Sequence, residues 1–226
     1  MSGQMIEFKG NGSTYQGYLA RSASGKGPGV IVLQEWWGLV GHIKDVADRF
    51  ASAGFTALAP DLYEGDSTSE PDEAGSLMMA LNIGTTEKIL HGAIEALLAD
   101  PATQGPKVGV VGFCMGGQLS LFAASINPKI GACVDFYGIH PNVHPEVSKL
   151  NGPFLGIFAE NDAYANAEAV ANLERALKME GKAFETITYP GTQHAFFNDA
   201  RPEVYDAAAS ADAWKRMLEF FMKNLE

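Results

Sequence analysis

The chain is poor in positive charge. Its 226 residues include 16 Lys and Arg against 27 Asp and Glu, which gives a net charge of −11, and the basic residues form no run. Nucleic acids and anionic membrane surfaces attract basic proteins, so we predict neither as a partner. No apolar run approaches the length of a membrane span, which also argues against a membrane protein.

Cysteine is equally scarce. Both cysteines, Cys114 and Cys133, lie on or beside predicted central strands, and this favours free thiols over a disulfide. Residues 1–7 lack the basic and apolar segments of a secretory signal. The sequence therefore predicts a reduced, cytoplasmic protein.

Hydrophobic residues make up 46% of the chain, enough for one substantial core, and a single domain over residues 1–226 is expected. Residues 5–8 and 15–19 flank a Gly-Asn-Gly-Ser turn and predict an antiparallel hairpin. Strands and helices then alternate, which predicts a mostly parallel twisted sheet with helices on both faces. The predicted strands are 30–34, 55–59, 108–111, 131–137, 154–158 and 184–189; the predicted helices are 42–53, one capped by Thr85 or Thr86, 118–126, 166–180 and 205–225.

Cys114 lies in the segment Gly-Phe-Cys-Met-Gly, between a buried strand and a helix. A chain that turns sharply from strand to helix leaves no room for side chains two positions away, which explains Gly112 and Gly116. The turn also brings the sulfur near the positive end of the helix, and this favours a thiolate. Cys114 is therefore the predicted nucleophile, against the alternative of an ordinary buried cysteine.

Two later loops supply an acid and a base at the same edge of the predicted sheet. Asp162 follows the strand 154–158, and His194 follows the last strand. A thiol needs a base to take its proton, and an acid must orient that base, so the chain order is that of the hydrolase triad. Glu160 competes with Asp162 for the role of the acid, but it lies closer to the strand.

The loop after the first apolar strand reads Gln-Glu-Trp-Trp-Gly. The backbone N–H groups of Trp36 and Met115 are the predicted oxyanion donors. Glu35 is unusual there, because a carboxylate at a strand end is costly to bury.

These segments together resemble the dienelactone hydrolase family, cysteine hydrolases with the α/β-hydrolase fold. The resemblance extends from residue 30 to the last helix. It implies a Cys114, Asp162 and His194 triad that cleaves a small ester or lactone through a thioester, without a cofactor. It also implies that Glu35 partners the resting thiol and that substrate binding shifts it.

The family's dienelactone-cleaving members hold the substrate carboxylate with arginines, one in the lid and one shortly after the histidine. Here no arginine occurs between residues 50 and 174, Asn198 stands four positions after His194, and Arg201 is the nearest guanidinium. A less charged ester or lactone is therefore expected. The polar segment 64–82, with an apolar patch at 77–79, is expected to form a lid. The predicted substrate contacts are Trp37, Tyr137, Phe196 and Arg201.

Other interpretations compete with this one. The chain could be a catalytically silent domain that binds a ligand or partner, or Cys114 could be a redox thiol, although no resolving cysteine is near. His140 and His144 are four apart but lie in a Pro-containing loop without a third ligand, so we predict no metal. A monomer or small homo-oligomer is expected.

Overall fold

The structure is a computed structural model that describes residues 2–225, so Met1 and Glu226 of the expected domain lie outside the described part. One sheet of eight strands has the order β1-β2-β4-β3-β5-β6-β7-β8. Its strands are β1 Gln4–Gly10, β2 Ser13–Ala20, β3 Gly27–Leu33, β4 Thr56–Pro60, β5 Thr103–Phe113, β6 Ile130–Phe136, β7 Phe154–Asn161 and β8 Phe184–Gln193. The helices are α1 Gly41–Ser52, α2 Pro71–Ala80, α3 Ile83–Ala99, α4 Met115–Ile126, α5 Ala167–Met179 and α6 Ala207–Leu225, with a short 3₁₀ turn at Val147–Lys149.

Strand direction follows the sequence prediction. β1 pairs antiparallel with β2, and β2 pairs antiparallel with β4. All pairs from β4 to β8 are parallel. The mostly parallel sheet with an antiparallel N-terminal hairpin is confirmed.

Helices cover both faces of the sheet. Neighbouring residues of a strand point to opposite faces, so the contacts of Val108 and Gly109 in β5 identify the helix on each side. On one face, a Cβ on Gly109 would lie 2.6 Å from Phe221 of α6. On the other face, a Cβ on Gly29 would contact both Val108 and Leu97 of α3. The central strands β3, β4 and β6 are almost wholly buried as a result. Burial on both faces explains why they read as continuous apolar runs in the sequence.

The segment 64–82, expected to form a lid, contains a helix that the sequence did not predict: α2 begins with Pro71 and has two acidic residues in its first turn, but only Ala74 is buried, so the hydrophobic period is weak. Two local predictions are wrong. The cap of α3 is Asn82, whose Oδ1 accepts a hydrogen bond from Thr85 N at 2.9 Å, and not Thr85 or Thr86. Helix α4 begins at Met115, three residues earlier than predicted, because the turn before it is tight. Within residues 2–225, no helix is long and apolar enough to cross a membrane.

Candidate active site

The turn from β5 to α4 holds Cys114 in a left-handed backbone conformation, with φ 56° and ψ −119°. Side chains rarely adopt this region, so surrounding contacts must hold the residue there. Cys114 N–H donates to the Phe136 carbonyl at 3.0 Å, and its own carbonyl accepts from Gly117 N at 2.9 Å and Ile139 N at 3.2 Å. The backbone of the turn is therefore fixed on both sides of the sulfur.

The two glycines that flank Cys114 are required by close backbone approach. A Cβ on Gly112 would lie 1.8 Å from the Gly116 carbonyl oxygen, and a Cβ on Gly116 would lie 2.5 Å from the Gln34 carbonyl oxygen. Neither position can accept a methyl group without moving the turn. The steric reason predicted for the Gly-x-Cys-x-Gly pattern is confirmed.

Asp162 and His194 are in direct contact at the carboxyl end of the sheet. His194 Nδ1 lies 2.6 Å from Asp162 Oδ2, and Asp162 is buried. The other Asp162 oxygen accepts from Tyr164 N and Ala165 N at 2.8 and 3.0 Å, which fixes the carboxylate. The imidazole packs between the rings of Tyr137 and Tyr164, with centroids at 5.0 and 5.3 Å.

The charge state of His194 is set by these neighbours. Burial lowers the pKa of His194, but its hydrogen bond to Asp162 and its interaction with Cys114 outweigh burial and raise the pKa to about 10. An imidazolium is therefore favoured at neutral pH, and an imidazolium stabilises a neighbouring thiolate. Glu160, the competing acid, is exposed and instead accepts a hydrogen bond from Gly191 N at 2.8 Å.

A cavity of about 310 Å³ lies above this group. Six residues singled out in the sequence line it: Glu35, Trp36, Trp37, Cys114, His194 and Arg201. Asp162 lies behind His194, as expected for a residue that orients a base. Met115 does not line the cavity; it is the first residue of α4, where backbone N–H groups have no acceptor within the helix.

Two predicted substrate contacts lie elsewhere. Tyr137 and Phe196 are completely buried, do not line the cavity, and pack against each other with ring centroids 5.6 Å apart. Tyr137 supports His194, because the two rings pack with centroids 5.0 Å apart, and Phe196 packs in turn against Tyr137. Their placement corrects the prediction that they contact substrate.

The sequence did not single out Tyr164, Asn161 and Ile139, which line the cavity. Tyr164 could have been found, since it lies two residues after Asp162 in the same loop. Met78 of α2 also lines the cavity, which supports the predicted lid over this site.

Glu35 is buried, and burial raises its pKa. Its Oε2 accepts a hydrogen bond from Asn198 Nδ2 at 2.6 Å, whereas Oε1 has no partner among the described residues. Asn198, the residue four positions after His194, is therefore the side chain that binds this carboxyl group. The contact to the resting thiol that the resemblance implied is not formed here; the carboxyl group is bound to Asn198 instead.

Arg201 contributes positive charge at the cavity edge. Its guanidinium lies 5.8 Å above the Trp37 ring, and its Nε donates to Glu203 at 2.9 Å. The charge is therefore partly neutralised.

His140 links α2 to the loop after β6. Its Nε2–H donates to the Met78 carbonyl at 3.1 Å, and its Nδ1 accepts from Asn142 N at 3.1 Å. Both ring nitrogens are thus used within the protein. Within residues 2–225, no group of three or more His, Cys, Asp or Glu side chains could hold a metal ion.

Comparison with known proteins identifies the family. The model of the dienelactone hydrolase family matches residues 15–225. The chain belongs to the dienelactone hydrolase family. It is thus a hydrolase of carboxylic ester or lactone bonds that acts on small molecules, as the sequence predicts.

Two relatives of this dienelactone hydrolase family member match along nearly their full length. The chain is 39% identical over 230 residues to "Protein usf" of Aquifex pyrophilus, with 99% of each chain covered. It is 34% identical over 231 residues to a protein of Aquifex aeolicus named "Putative carboxymethylenebutenolidase", covering 99% of this chain and 100% of the relative. A crystal structure titled as a "Putative Dienelactone Hydrolase" from Klebsiella pneumoniae superposes with a TM-score of 0.86 at 28% identity, covering 98% of this chain and 99% of that chain. The predicted α/β-hydrolase fold is confirmed.

Proposed function

We propose that this family member cleaves a small ester or lactone through a thioester on Cys114. The observation that carries the proposal is the 2.6 Å contact between Asp162 and His194, next to a cysteine in a constrained turn at the same cavity. A buried acid that orients an imidazole beside a thiol is the arrangement that nucleophilic acyl transfer requires.

The reaction has two halves. The Cys114 sulfur attacks the carbonyl carbon, and the carbonyl oxygen becomes an oxyanion that the N–H groups of Trp36 and Met115 stabilise. Collapse of this intermediate breaks the C–O bond, and the departing oxygen takes a proton from His194. His194 then removes a proton from water, and the water oxygen attacks the thioester carbon; the C–S bond breaks, which releases the acid and restores the Cys114 thiolate beside protonated His194.

The substrate is small and carries little charge. The cavity volume of about 310 Å³ is at the lower end for ligand sites, and Trp36, Trp37 and Met78 make much of its wall apolar. Arg201 is the guanidinium on this wall, and its contact with Glu203 weakens its attraction for a carboxylate. A neutral ester or lactone therefore fits better than a compound that needs a two-arginine clamp.

We further propose that the chain is a single cytoplasmic domain, monomeric or a small homo-oligomer, without a cofactor and without nucleic acid or membrane as partner. Its two cysteines are unpaired, in keeping with a reducing compartment. The net charge of −11 disfavours anionic partners.

Steady-state hydrolysis of p-nitrophenyl esters and lactones, in matched carboxylated and neutral pairs, tests the proposal. Cys114→Ala should abolish turnover while retaining the wild-type circular dichroism spectrum. Cys133→Ala, at the other buried cysteine, is the matched control and should remain active. Undiminished hydrolysis by Cys114→Ala would refute the mechanism, and no hydrolysis by the wild type would favour the silent binding domain.

A further inference from the structure

A second group of buried polar atoms lies behind the candidate active site. Glu35 Oε1 and His42 Nε2 are both buried, and neither has a hydrogen-bond partner among the described residues. His42 belongs to α1, and its side chain is only 1% exposed. Buried polar atoms without partners are costly, so two in one region require an explanation.

The other nitrogen of His42 faces a carboxylate at the surface. Nδ1 lies 3.2 Å from Asp199 Oδ1, and the second Asp199 oxygen accepts from Arg49 Nη2 at 3.1 Å. An ionised aspartate can only accept, so the proton of a neutral His42 ring lies on Nδ1. Nε2 is then a hydrogen-bond acceptor that lacks a donor.

Glu35 offers the complementary donor. Asn198 occupies its Oε2, which leaves Oε1 to carry the proton when the carboxyl group is neutral. Burial raises the pKa of Glu35, and the strongest opposing influence is the charge of His42, ahead of Asn198, His194 and Arg201. Asn198 binds Glu35 and the next residue, Asp199, contacts His42, so the two side chains lie close together.

The surroundings give this pair a path to solvent. His42 and Asn198 both line a second cavity of about 520 Å³, which shares Trp37 and Arg201 with the first. The Asp199 side chain is 42% exposed. A proton can therefore reach His42 without crossing the substrate cavity.

We propose that His42, oriented by Asp199, exchanges a proton with Glu35. The O–H bond at Glu35 Oε1 breaks and its electron pair stays on the carboxylate, while one bridging water molecule passes a proton to His42 Nε2, where an N–H bond forms. Asp199 stabilises the resulting imidazolium, and the reverse step restores neutral Glu35. Because Glu35 lines the cavity beside Cys114, this exchange sets the charge next to the thiol.

His42 is thus a positioning residue that acts through Glu35, and its catalytic consequence rests on the proposed function. The charged groups around the pair are Asp199 and Arg49 on the solvent side and His194 and Arg201 on the cavity side.

Infrared difference titration of the protonated carboxyl band, assigned by its loss in Glu35→Gln, tests the exchange on the whole protein. Asp199→Asn should move the Glu35 midpoint upward by on the order of one pH unit, about a tenfold change in its ionisation constant, because the imidazolium loses its partner. His42→Gln should move it in the same direction. The control is Asp45→Asn, which also removes a carboxylate from Arg49, at 2.7 Å, but leaves the His42 contact, and it should not move the midpoint.

Combining Asp199→Asn with His42→Gln should give no larger shift than His42→Gln alone, because Asp199 acts through His42. Equal midpoints in Asp199→Asn and Asp45→Asn, or additive shifts in the double variant, would refute the relay. The absence of a titrating band that Glu35→Gln removes would also refute it. The band reports Glu35 itself, so this result is independent of whether Cys114 forms a thioester.

Discussion

Asp135 of β6 is a buried carboxyl group whose ionisation makes the stability of the fold depend on pH. It is 1% exposed, and its Oδ1 has no partner among the described residues. Burial raises the pKa of Asp135 from 3.8 to about 7, although a hydrogen bond from Gly138 N and the charge of His194 oppose the shift. Its position is tight, since a Cβ on Gly117, in the first turn of α4, would lie 2.2 Å from Oδ1.

Because the pKa of Asp135 is raised, the folded state becomes less stable as the pH rises. Well below its ordinary pKa of 3.8, Asp135 is protonated in both the folded and unfolded states, so its ionisation does not change the free energy of unfolding. As the pH rises, the unfolded chain ionises first, so the folded state loses stability progressively until the folded group also ionises near pH 7. A shift of about three units corresponds to ~4 kcal/mol, of which roughly 2–3 kcal/mol falls between about pH 5 and about pH 8.

Asp135→Asn removes this ionisation while keeping the shape of the side chain. The free energy of unfolding of the variant, minus that of the wild type, should therefore increase by roughly 2–3 kcal/mol from about pH 5 to about pH 8. Urea unfolding followed by tryptophan fluorescence measures it. Asp72→Asn, at an exposed aspartate of α2, is the control for nonspecific charge effects. A difference that does not change with pH would contradict the reasoning.

Three further predictions concern the turn, the lid and the cavity edge. Gly112→Ala should greatly lower the melting temperature and the activity, since its methyl group would lie 1.8 Å from a carbonyl oxygen; Gly41→Ala, which meets open space, should do neither. Burial lowers the pKa of His140, so the wild type should lose stability as pH falls through the ordinary histidine value of about 6.5, and urea titrations should find a smaller loss in His140→Gln. Arg201→Gln should raise KM about tenfold or more for carboxylated esters, roughly the loss of one charge-assisted hydrogen bond, but not for matched neutral esters; equal effects on both would exclude a charge contact.

Much of the fold could be predicted because its signals are local. The glycines around Cys114 reflect a collision within five residues, and β3, β4 and β6 read as strands because both their faces are covered. The contact between Asp162 and His194 follows from chain order at the ends of parallel strands. Helix α2 was missed because it buries a single residue and so lacks a period.

Other parts of the site depend on contacts between distant segments. Asn198 reaches Glu35 across 163 positions, and no pattern near either residue predicts that pairing. Asp135 lies within an apolar strand, where its burial follows from helices on both sides. Tyr137 and Phe196 are close in sequence to residues that line the cavity. Their side chains nevertheless point into the core, where Tyr137 packs against both His194 and Phe196.

The central claim, that Cys114 carries the acyl group, is tested most directly by intact-protein mass spectrometry after rapid acid quenching of a reaction with p-nitrophenyl acetate. The account predicts one acetyl group per chain, mapped to the peptide that contains Cys114 and removed by hydroxylamine. Cys133→Ala should form the same adduct, and Cys114→Ala should form none. An acetyl group on another residue, or an adduct of equal yield in Cys114→Ala, would contradict the account.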